Sequence, residues 1–168
     1  TDTGISPMAV PGTPGCQYTA DGLEHNVTGT PSSQASDHAQ QLDKRLRKIH
    51  RHDYGAHWAD IEGDGDTAII TWGSSTGPVR EAARRLAGEG IRVRVVAIRL
   101  LSPARPDDFA VALHGVERAL IVEQSHGAQF HRALRAYYDL PAAVRTLNRP
   151  GPLPIRPGEV VDLIKNWR

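Results

Sequence analysis

Glu24 and His25, an adjacent acid and imidazole, are the first side chains in this sequence whose types and spacing could do chemistry. A carboxylate beside a histidine can orient the imidazole for proton transfer or for binding an oxyanion. A histidine that is simply hydrogen-bonded at the surface explains the same pair without any chemistry. Both interpretations stay open, and Glu24 and His25 are the candidates that would face an active site.

A small polar turn at residues 73–77, with the sequence Gly-Ser-Ser-Thr-Gly, is the second candidate. Ser74, Ser75 and Thr76 follow a short apolar run and precede an amphipathic one, so we expect them where a strand passes into a helix. Backbone amides gathered at such a turn can bind an anion. The turn lacks the G-x-G-x-x-G spacing of a dinucleotide fingerprint and the lysine of a P-loop. A tight turn of small, closely packed residues is the alternative.

Glu123 and His126 form the third candidate, at another predicted strand-to-helix turn. The two side chains could act as an acid–base pair, and His126 joins Ser74, Ser75 and Thr76 as a candidate for anion binding. Alternatively, the Glu123 carboxylate accepts hydrogen bonds from turn amides and serves as a structural cap. These residues do not make up a complete catalytic constellation.

The composition argues against several classes of function. The chain has 168 residues and a net charge of +1, from 20 Lys and Arg against 19 Asp and Glu, which gives no argument for a nucleic-acid or membrane partner. Its one cysteine, Cys16, excludes an internal disulfide and a cysteine-ligated iron–sulfur cluster, and makes a reducing cytoplasm the expected compartment. His50, His52 and His57 are spaced too irregularly to predict a metal site. No apolar run approaches the ~18 residues of a transmembrane helix.

Four apolar runs, each followed by a helical pattern, organise the second half of the chain. They predict an α/β fold, a three-layer sandwich whose mostly parallel sheet is covered by helices on both faces. The predicted strands are residues 67–72, 92–98, 119–123 and 143–147. The candidate residues at 74–76 and 123–126 then fall at the carboxyl ends of strands, where ligands or partners meet such a sheet.

We expect this α/β domain to span residues 62–168 and residues 1–61 to precede it as an arm plus a helix. Residues 1–34 are rich in glycine and proline and predict an irregular connecting arm. Residues 36–51 predict an amphipathic helix whose basic face is either solvated or opposed to an anionic partner. Because the chain opens on Thr1 in loop-like sequence, we expect it to be a piece of a longer polypeptide.

Several short motifs follow one another along nearly the whole chain. They are Gly4-Ile5-Ser6-Pro7 with Pro11-Gly12, Gly22-Leu23-Glu24-His25 with Gly29, Lys44-Arg45 with Lys48, Trp72-Gly73-Ser74 with Gly77, and Val122-Glu123-Gln124 with Gly127 and Gln129. In order and spacing they resemble the C-terminal part of the alpha subunit of 2-oxoacid:ferredoxin oxidoreductases, most closely the 2-oxoglutarate type. Met8 stands where an arginine is expected, and Asn26-Val27 where acidic residues are more usual, which leaves the substrate preference open.

The resemblance implies a transketolase C-terminal-like domain that supports subunit assembly and is inactive alone. Enzymes of this family convert a 2-oxoacid and coenzyme A into an acyl-CoA, carbon dioxide and reduced ferredoxin, with thiamine diphosphate supplying the carbanion chemistry. The implied partners are a beta subunit and, through the complex, ferredoxin. Thiamine diphosphate, Mg²⁺ and an iron–sulfur cluster would belong to the full complex, and this chain alone would hold none of them. Coenzyme A becomes a second candidate ligand for Ser74, Ser75, Thr76 and His126.

Gly63-Asp64-Gly65 imitates the start of the metal-diphosphate motif of thiamine-diphosphate enzymes. That motif needs an asparagine roughly one βα unit later, and none is suitably placed, so we predict a surface turn. Two other interpretations of the whole chain stay open. One is the C-terminal domain of another transketolase-like enzyme, such as a 2-oxoacid dehydrogenase beta subunit, and the other is a non-catalytic nucleotide- or anion-binding regulatory module.

Overall fold

The structure, a computed structural model, describes residues 1–18 and 20–167. The chain divides into two compact units, Thr1–Asp53 and Tyr54–Arg168. The first unit contains the irregular segment that we call the arm (residues 1–34) and helix α1 (Ala35–Arg51). The helix agrees with the one predicted over residues 36–51. Asp37 in its first turn and Lys48 and Arg51 in its last turn complement the helix dipole.

The arm contacts α1 mainly through polar groups. Lys44 donates from Nζ to the Ser6 hydroxyl at 2.6 Å, and Arg51 donates to the Asp2 carbonyl at 2.8 Å. Gly4 adopts a φ of +81°, and a Cβ at this position would lie 2.5 Å from the Lys44 carbonyl oxygen. Only glycine allows the arm this backbone conformation and this close approach. Helix α1 itself has no buried residue, and its apolar stripe stays exposed.

The second unit is a five-stranded sheet with helices on both faces. Its strands are β1 (Ala59–Glu62), β2 (Thr67–Trp72), β3 (Arg94–Ile98), β4 (Arg118–Glu123) and β5 (Ala143–Asn148). Its helices are α2 (Thr76–Gly88), α3 (Pro106–Ala112), α4 (Gln129–Tyr137) and α5 (Pro157–Lys165). The strand order is β1-β3-β2-β4-β5, and all neighbouring pairs are parallel except β1 with β3. The predicted three-layer α/β fold with a mostly parallel sheet is therefore confirmed.

Two apolar layers hold the sheet. One packs α2 and α5 against the face that carries Ile69 and Leu120, and the other packs α3 and α4 against the face that carries Ile70 and Ile121. All four side chains are fully buried. Burying an isoleucine or leucine completely stabilises a fold by about 1.5–3 kcal/mol relative to exposure. This explains why the strands read as continuous apolar runs rather than as an alternating pattern.

Strand β1 is an element that the sequence does not predict. It has only four residues and pairs antiparallel with β3 at the edge of the sheet. Its two acids alternate with its apolar residues, and Arg80 of α2 binds both of them, at 2.9 Å from Asp60 and 2.6 Å from Glu62. The sheet thus begins at Ala59, inside the segment that the sequence assigned to the arm and the basic helix.

The turn after β2 also differs from expectation. Gly73–Ser75 form one turn of 3₁₀-helix, and α2 begins at Thr76, inside the turn that the sequence predicts at residues 73–77. Gly73 has a φ of +59°, which lets the extended chain of β2 bend into this turn. Among the described residues, 1–18 and 20–167, no helix has the length and apolar character needed to cross a membrane.

Candidate functional site

Glu24 and His25 do not contact each other as a pair. Glu24 receives hydrogen bonds from Arg45, with Nη2 2.5 Å from Oε1 and Nη1 3.2 Å from Oε2. His38 Nδ1 lies 2.8 Å from the same Oε2. Both partners are on α1, so the Glu24 carboxylate ties the arm to the helix. The Glu24 side chain is 16% exposed. Arg45 binds its carboxylate in the bidentate geometry of a carboxylate–guanidinium pair, and His38 makes a third contact.

The pKa of the Glu24 carboxyl is lowered from 4.5 to about 2, first by the hydrogen bond from Arg45 and then by that from His38. At neutral pH the group is ionised and makes three hydrogen bonds to α1. A general base needs a pKa near the working pH and a free lone pair directed at a substrate. What the structure shows for Glu24 is a contact that ties the arm to α1 within this unit.

His25 contacts a different acid, Asp21. Its Nε2 lies 3.3 Å from Asp21 Oδ1, within ion-pair distance. The same nitrogen is buried and makes no hydrogen bond of acceptable geometry to the residues that the structure describes. A buried polar nitrogen without a hydrogen bond is costly. The acid that His25 meets is therefore Asp21 and not its neighbour Glu24.

Ser74, Ser75 and Thr76 lie at the carboxyl end of β2, as the sequence predicts. The Thr76 amide donates to the Gly73 carbonyl within the 3₁₀ turn, so this amide is not available for an anion. Ser75 is 5% exposed, whereas Ser74 is exposed. One amide of the turn is thus engaged and Ser75 is buried, whereas Ser74 is the accessible hydroxyl.

Glu123 caps the start of α4, which is one of the two roles that the sequence leaves open for it. Its side chain is fully buried. Oε2 accepts from the Phe130 amide at 2.7 Å, Oε1 accepts from the His131 amide at 3.0 Å, and the Ser125 hydroxyl donates a third hydrogen bond. The carboxylate thus neutralises the open amides at the start of α4 and meets the positive end of the helix dipole. His126 is exposed on the turn between β4 and α4.

The Gly63-Asp64-Gly65 turn does not fit a metal-bound diphosphate. It precedes β2, so it lies at the amino end of that strand, opposite the edge where the other candidate residues lie. The Asp64 carboxylate is paired with Arg92 at 3.1 Å. A Cβ on Gly65 would run into the carbonyl oxygen of Arg92, so this glycine is required for close packing. Within residues 1–18 and 20–167, no group of three or more His, Cys, Asp and Glu side chains is placed to hold a metal ion.

A cavity of about 220 Å³ lies at the carboxyl edge of the sheet, and we call it the edge cavity. Its lining comprises Trp72, Ile98, Leu101, Glu123, Ser125, Gln129, Phe130, Ala133, Leu134, Tyr137 and Tyr138. It combines an aromatic wall with a few polar groups, which is the usual character of a small-molecule site. The sequence motifs do not predict this cavity. The available signal was Trp72, a large aromatic residue at the last position of a strand.

The comparisons with known proteins agree with this fold. Residues 56–166 match the family model described as transketolase, C-terminal domain. The chain is 31% identical over 140 residues to the 2-oxoacid:ferredoxin oxidoreductase subunit alpha of Saccharolobus solfataricus, covering 80% of this chain and 22% of the relative. It is 34% identical over 137 residues to the 2-oxoglutarate oxidoreductase subunit KorA of Mycobacterium tuberculosis, covering 78% and 20%. The chain thus spans about a fifth of the length of these relatives.

Two solved structures are similar to the chain. A 2-oxoglutarate:ferredoxin oxidoreductase from Magnetococcus marinus, with 2-oxoglutarate, coenzyme A and succinyl-CoA bound, matches with a TM-score of 0.75 at 32% identity. That match covers 98% of this chain and 29% of the other. A split-gene transketolase, an inactive beta4 tetramer, matches with a TM-score of 0.51 at 19% identity over 68% of this chain and 42% of the other, which supports the fold alone.

These similarities confirm the resemblance drawn from the sequence motifs. The family model covers strands β1 to β5 and helices α2 to α5, and the five-stranded, mostly parallel sheet is the architecture expected for it. The chain belongs to the family of transketolase C-terminal domains.

Proposed function

We propose that this chain is the C-terminal domain of the alpha subunit of a 2-oxoacid:ferredoxin oxidoreductase of the 2-oxoglutarate type. The observation that carries the proposal is the similarity to the Magnetococcus marinus enzyme, at 32% identity over 98% of this chain. That coverage takes in the arm and α1 as well as the α/β unit. A general transketolase C-terminal domain would account for residues 56–166 alone.

In this proposal the chain supports assembly and does not carry the cofactor. Thiamine diphosphate, Mg²⁺ and an iron–sulfur cluster would be held elsewhere in a cytoplasmic complex with a beta subunit, which passes electrons to ferredoxin. The unsuitable Gly63-Asp64-Gly65 turn and the single cysteine, Cys16, support this division of labour. The complex would convert a 2-oxoacid and coenzyme A into an acyl-CoA, carbon dioxide and reduced ferredoxin.

The candidate residues of this chain have different proposed roles, either in holding the arm or in contacting a ligand. Glu24 holds the arm against α1 through Arg45 and His38, which shapes the segment nearest an active site. His25, whose Nε2 is buried without a hydrogen bond among the described residues, is the candidate to face that site. Ser74, Ser75, Thr76 and His126 remain candidates for an anion or a coenzyme A contact, with Ser74 and His126 the exposed members.

The test is an activity assay on the whole polypeptide, co-expressed with its beta subunit. We expect 2-oxoglutarate to reduce methyl viologen only when coenzyme A and thiamine diphosphate are present, and deletion of residues 1–168 to abolish assembly of the complex. A gene product without a thiamine-binding domain, or an assembled complex that reduces no viologen with any 2-oxoacid, would overturn the proposal.

A 2-oxoacid dehydrogenase beta subunit is the second candidate, because the family model matches transketolase-like C-terminal domains in general. Its oxidation would run through lipoamide instead of ferredoxin. An assay that offers lipoamide and methyl viologen separately to the assembled complex distinguishes the two. A regulatory module, the third interpretation, predicts that the isolated chain binds a nucleotide such as AMP at micromolar concentration.

A further inference from the structure

We propose that the edge cavity binds an uncharged, planar heteroaromatic ring of about the size of indole or purine that carries an N–H donor. The site lies wholly within the second unit and is independent of the assembly role proposed above. The sequence motifs assign no ligand to it. Four observations carry the proposal: the position of the cavity in the sheet, its size, its charge and its hydrogen-bonding groups.

The cavity lies at the topological switch point of the sheet. From β2 the chain runs through α2 to β3 on one side, and then crosses through α3 to β4 on the other side of β2. The connections that follow β2 and β4 therefore leave the carboxyl ends of these two neighbouring strands in opposite directions. They open a crevice between the two strand ends. Trp72 ends β2 and Glu123 ends β4, and both line the cavity. Ligands of open α/β sheets bind in this crevice.

The size of the cavity and its walls select a single flat ring system. A volume of about 220 Å³ is larger than the ~150 Å³ cavity that holds benzene and smaller than the ~300–1,000 Å³ of drug-sized sites. Phe130 and Trp72 have ring centroids 6.0 Å apart, and Tyr137 adds a third ring. Trp72 is 40% exposed although the rest of β2 is buried, so its ring is accessible to a ligand.

The charge of the lining excludes a phosphate group and favours a neutral ligand. Among the described residues, the lining contains no lysine, arginine or histidine. Its one acid, Glu123, is fully buried and already accepts three hydrogen bonds at the start of α4. A free cation or anion in this cavity would lose its hydration without gaining an accessible partner of opposite charge.

The accessible polar groups include hydrogen-bond acceptors at Ser125 and Gln129. The Ser125 hydroxyl donates its hydrogen to Glu123, and its oxygen accepts from the Gln129 amide at 3.3 Å. One lone pair of that oxygen is left for a ligand. The Gln129 side chain is exposed beside it and can present its amide oxygen. A ring that carries an N–H donor complements these acceptors, whereas an N-methylated ring does not.

The test compares indole with 1-methylindole by isothermal titration calorimetry on the chain described here. We expect a Kd for indole of about 1 mM or tighter, with 1-methylindole weaker by about threefold or more, because it cannot donate to Ser125 or Gln129. Indole that does not bind at about 10 mM, or that binds no better than 1-methylindole, would overturn the proposal.

A matched pair of variants on α4 locates the binding. Ala133→Leu adds a side chain inside the cavity, and Ala136→Leu adds the same side chain on the same helix at a position outside the lining. Both alanines are exposed, so both variants should fold with the urea midpoint of the parent chain. We expect Ala133→Leu to weaken indole binding about tenfold or more and Ala136→Leu to leave it unchanged. Equal binding by the two folded variants would place indole elsewhere and refute the assignment.

Discussion

The Arg45 guanidinium binds both oxygens of the Glu24 carboxylate, and these two residues, 21 positions apart in the sequence, join the arm to α1. A fork of parallel hydrogen bonds requires the planar guanidinium, which a lysine does not provide. Arg45→Lys should therefore loosen the arm although it keeps the charge. We expect faster amide hydrogen exchange at Asn26 and Ser32, whose amides bond to Thr30 and Glu24 in the folded arm.

Arg47→Lys, on the same helix, is the control for that variant and should leave the exchange of both amides unchanged. Equal protection of Asn26 and Ser32 in the two variants would show that Glu24 does not hold the arm.

Lowering the pH should break the contact between Glu24 and Arg45 within a defined pH range. The folded-state pKa of Glu24 is lowered to about 2 from 4.5, first by Arg45 and then by His38. A carboxyl with a lowered pKa stabilises the fold above its unfolded pKa and loses this contribution as pH falls through its folded pKa. The contribution is thus fully present above about pH 4.5 and declines toward about pH 2. Amide exchange at Ser32, compared between the parent chain and Glu24→Gln across this range, measures it.

Glu24→Gln removes the titrating group, so its arm should show the smaller change in protection between pH 5 and pH 2, after correction for intrinsic exchange. An arm that loses protection to the same extent in both chains would assign the acid sensitivity to other carboxyls.

Glu123→Gln should destabilise the second unit. The substitution replaces one buried acceptor oxygen with an NH₂ group that faces the Phe130 or His131 amide, and so leaves a buried donor without a partner. We expect the free energy of unfolding to fall by about 1–3 kcal/mol, measured by urea denaturation. Glu117→Gln, at an exposed position before β4, should change it by less than about 0.5 kcal/mol. Equal midpoints for the two variants would contradict the capping role.

Glycine-to-alanine substitutions should have opposite effects at two positions of the second unit. At Gly65 the new Cβ would overlap the Arg92 backbone, which should cost about 1–3 kcal/mol, as overpacking does. At Gly77, in the first turn of α2, the Cβ would meet no atom within 4 Å, and alanine should be neutral or stabilising by up to about 1 kcal/mol. Thermal unfolding of both variants tests this, and a Gly65→Ala chain as stable as its parent would refute the close approach.

The exposed stripe of α1 should make the chain associate with itself at high concentration. Leu42, Leu46 and Ile49 are exposed to 48%, 56% and 39% along one side of a helix without a buried residue. Leu46→Lys should reduce the fraction of oligomer in sedimentation velocity and leave the unfolding midpoint unchanged, because the side chain is not part of a core. Lys44→Arg is the control. Identical oligomer fractions in parent and variant would exclude the stripe as a contact surface.

The sheet and its helices follow from local patterns in the sequence. β2 is predicted at its observed bounds, because a fully buried parallel strand reads as a continuous apolar run bounded by turn residues. β1 carries no such signal. It has four residues, two of them acids, and what holds it in place is Arg80 on α2 and the edge of β3.

The site candidates were harder to predict, because their partners lie far away in sequence. Neighbouring side chains of an extended segment point to opposite sides, so the adjacency of Glu24 and His25 does not make them partners. Glu24 meets Arg45 and His38 on a helix, and His25 meets Asp21. Glu123 was easier, because the amides that it caps begin only a few residues later along the chain.

The antiparallel edge strand constrains the order in which the second unit can form. β1 comes first in this unit, yet its partner is β3, and β2 lies between them in sequence. During synthesis β1 therefore leaves the ribosome without a strand to pair with, and it must wait until Arg94–Ile98 have followed. Its acids keep this waiting segment charged, which discourages pairing with other chains. The strand of this unit that is synthesised first therefore cannot be the first of its strands to fold.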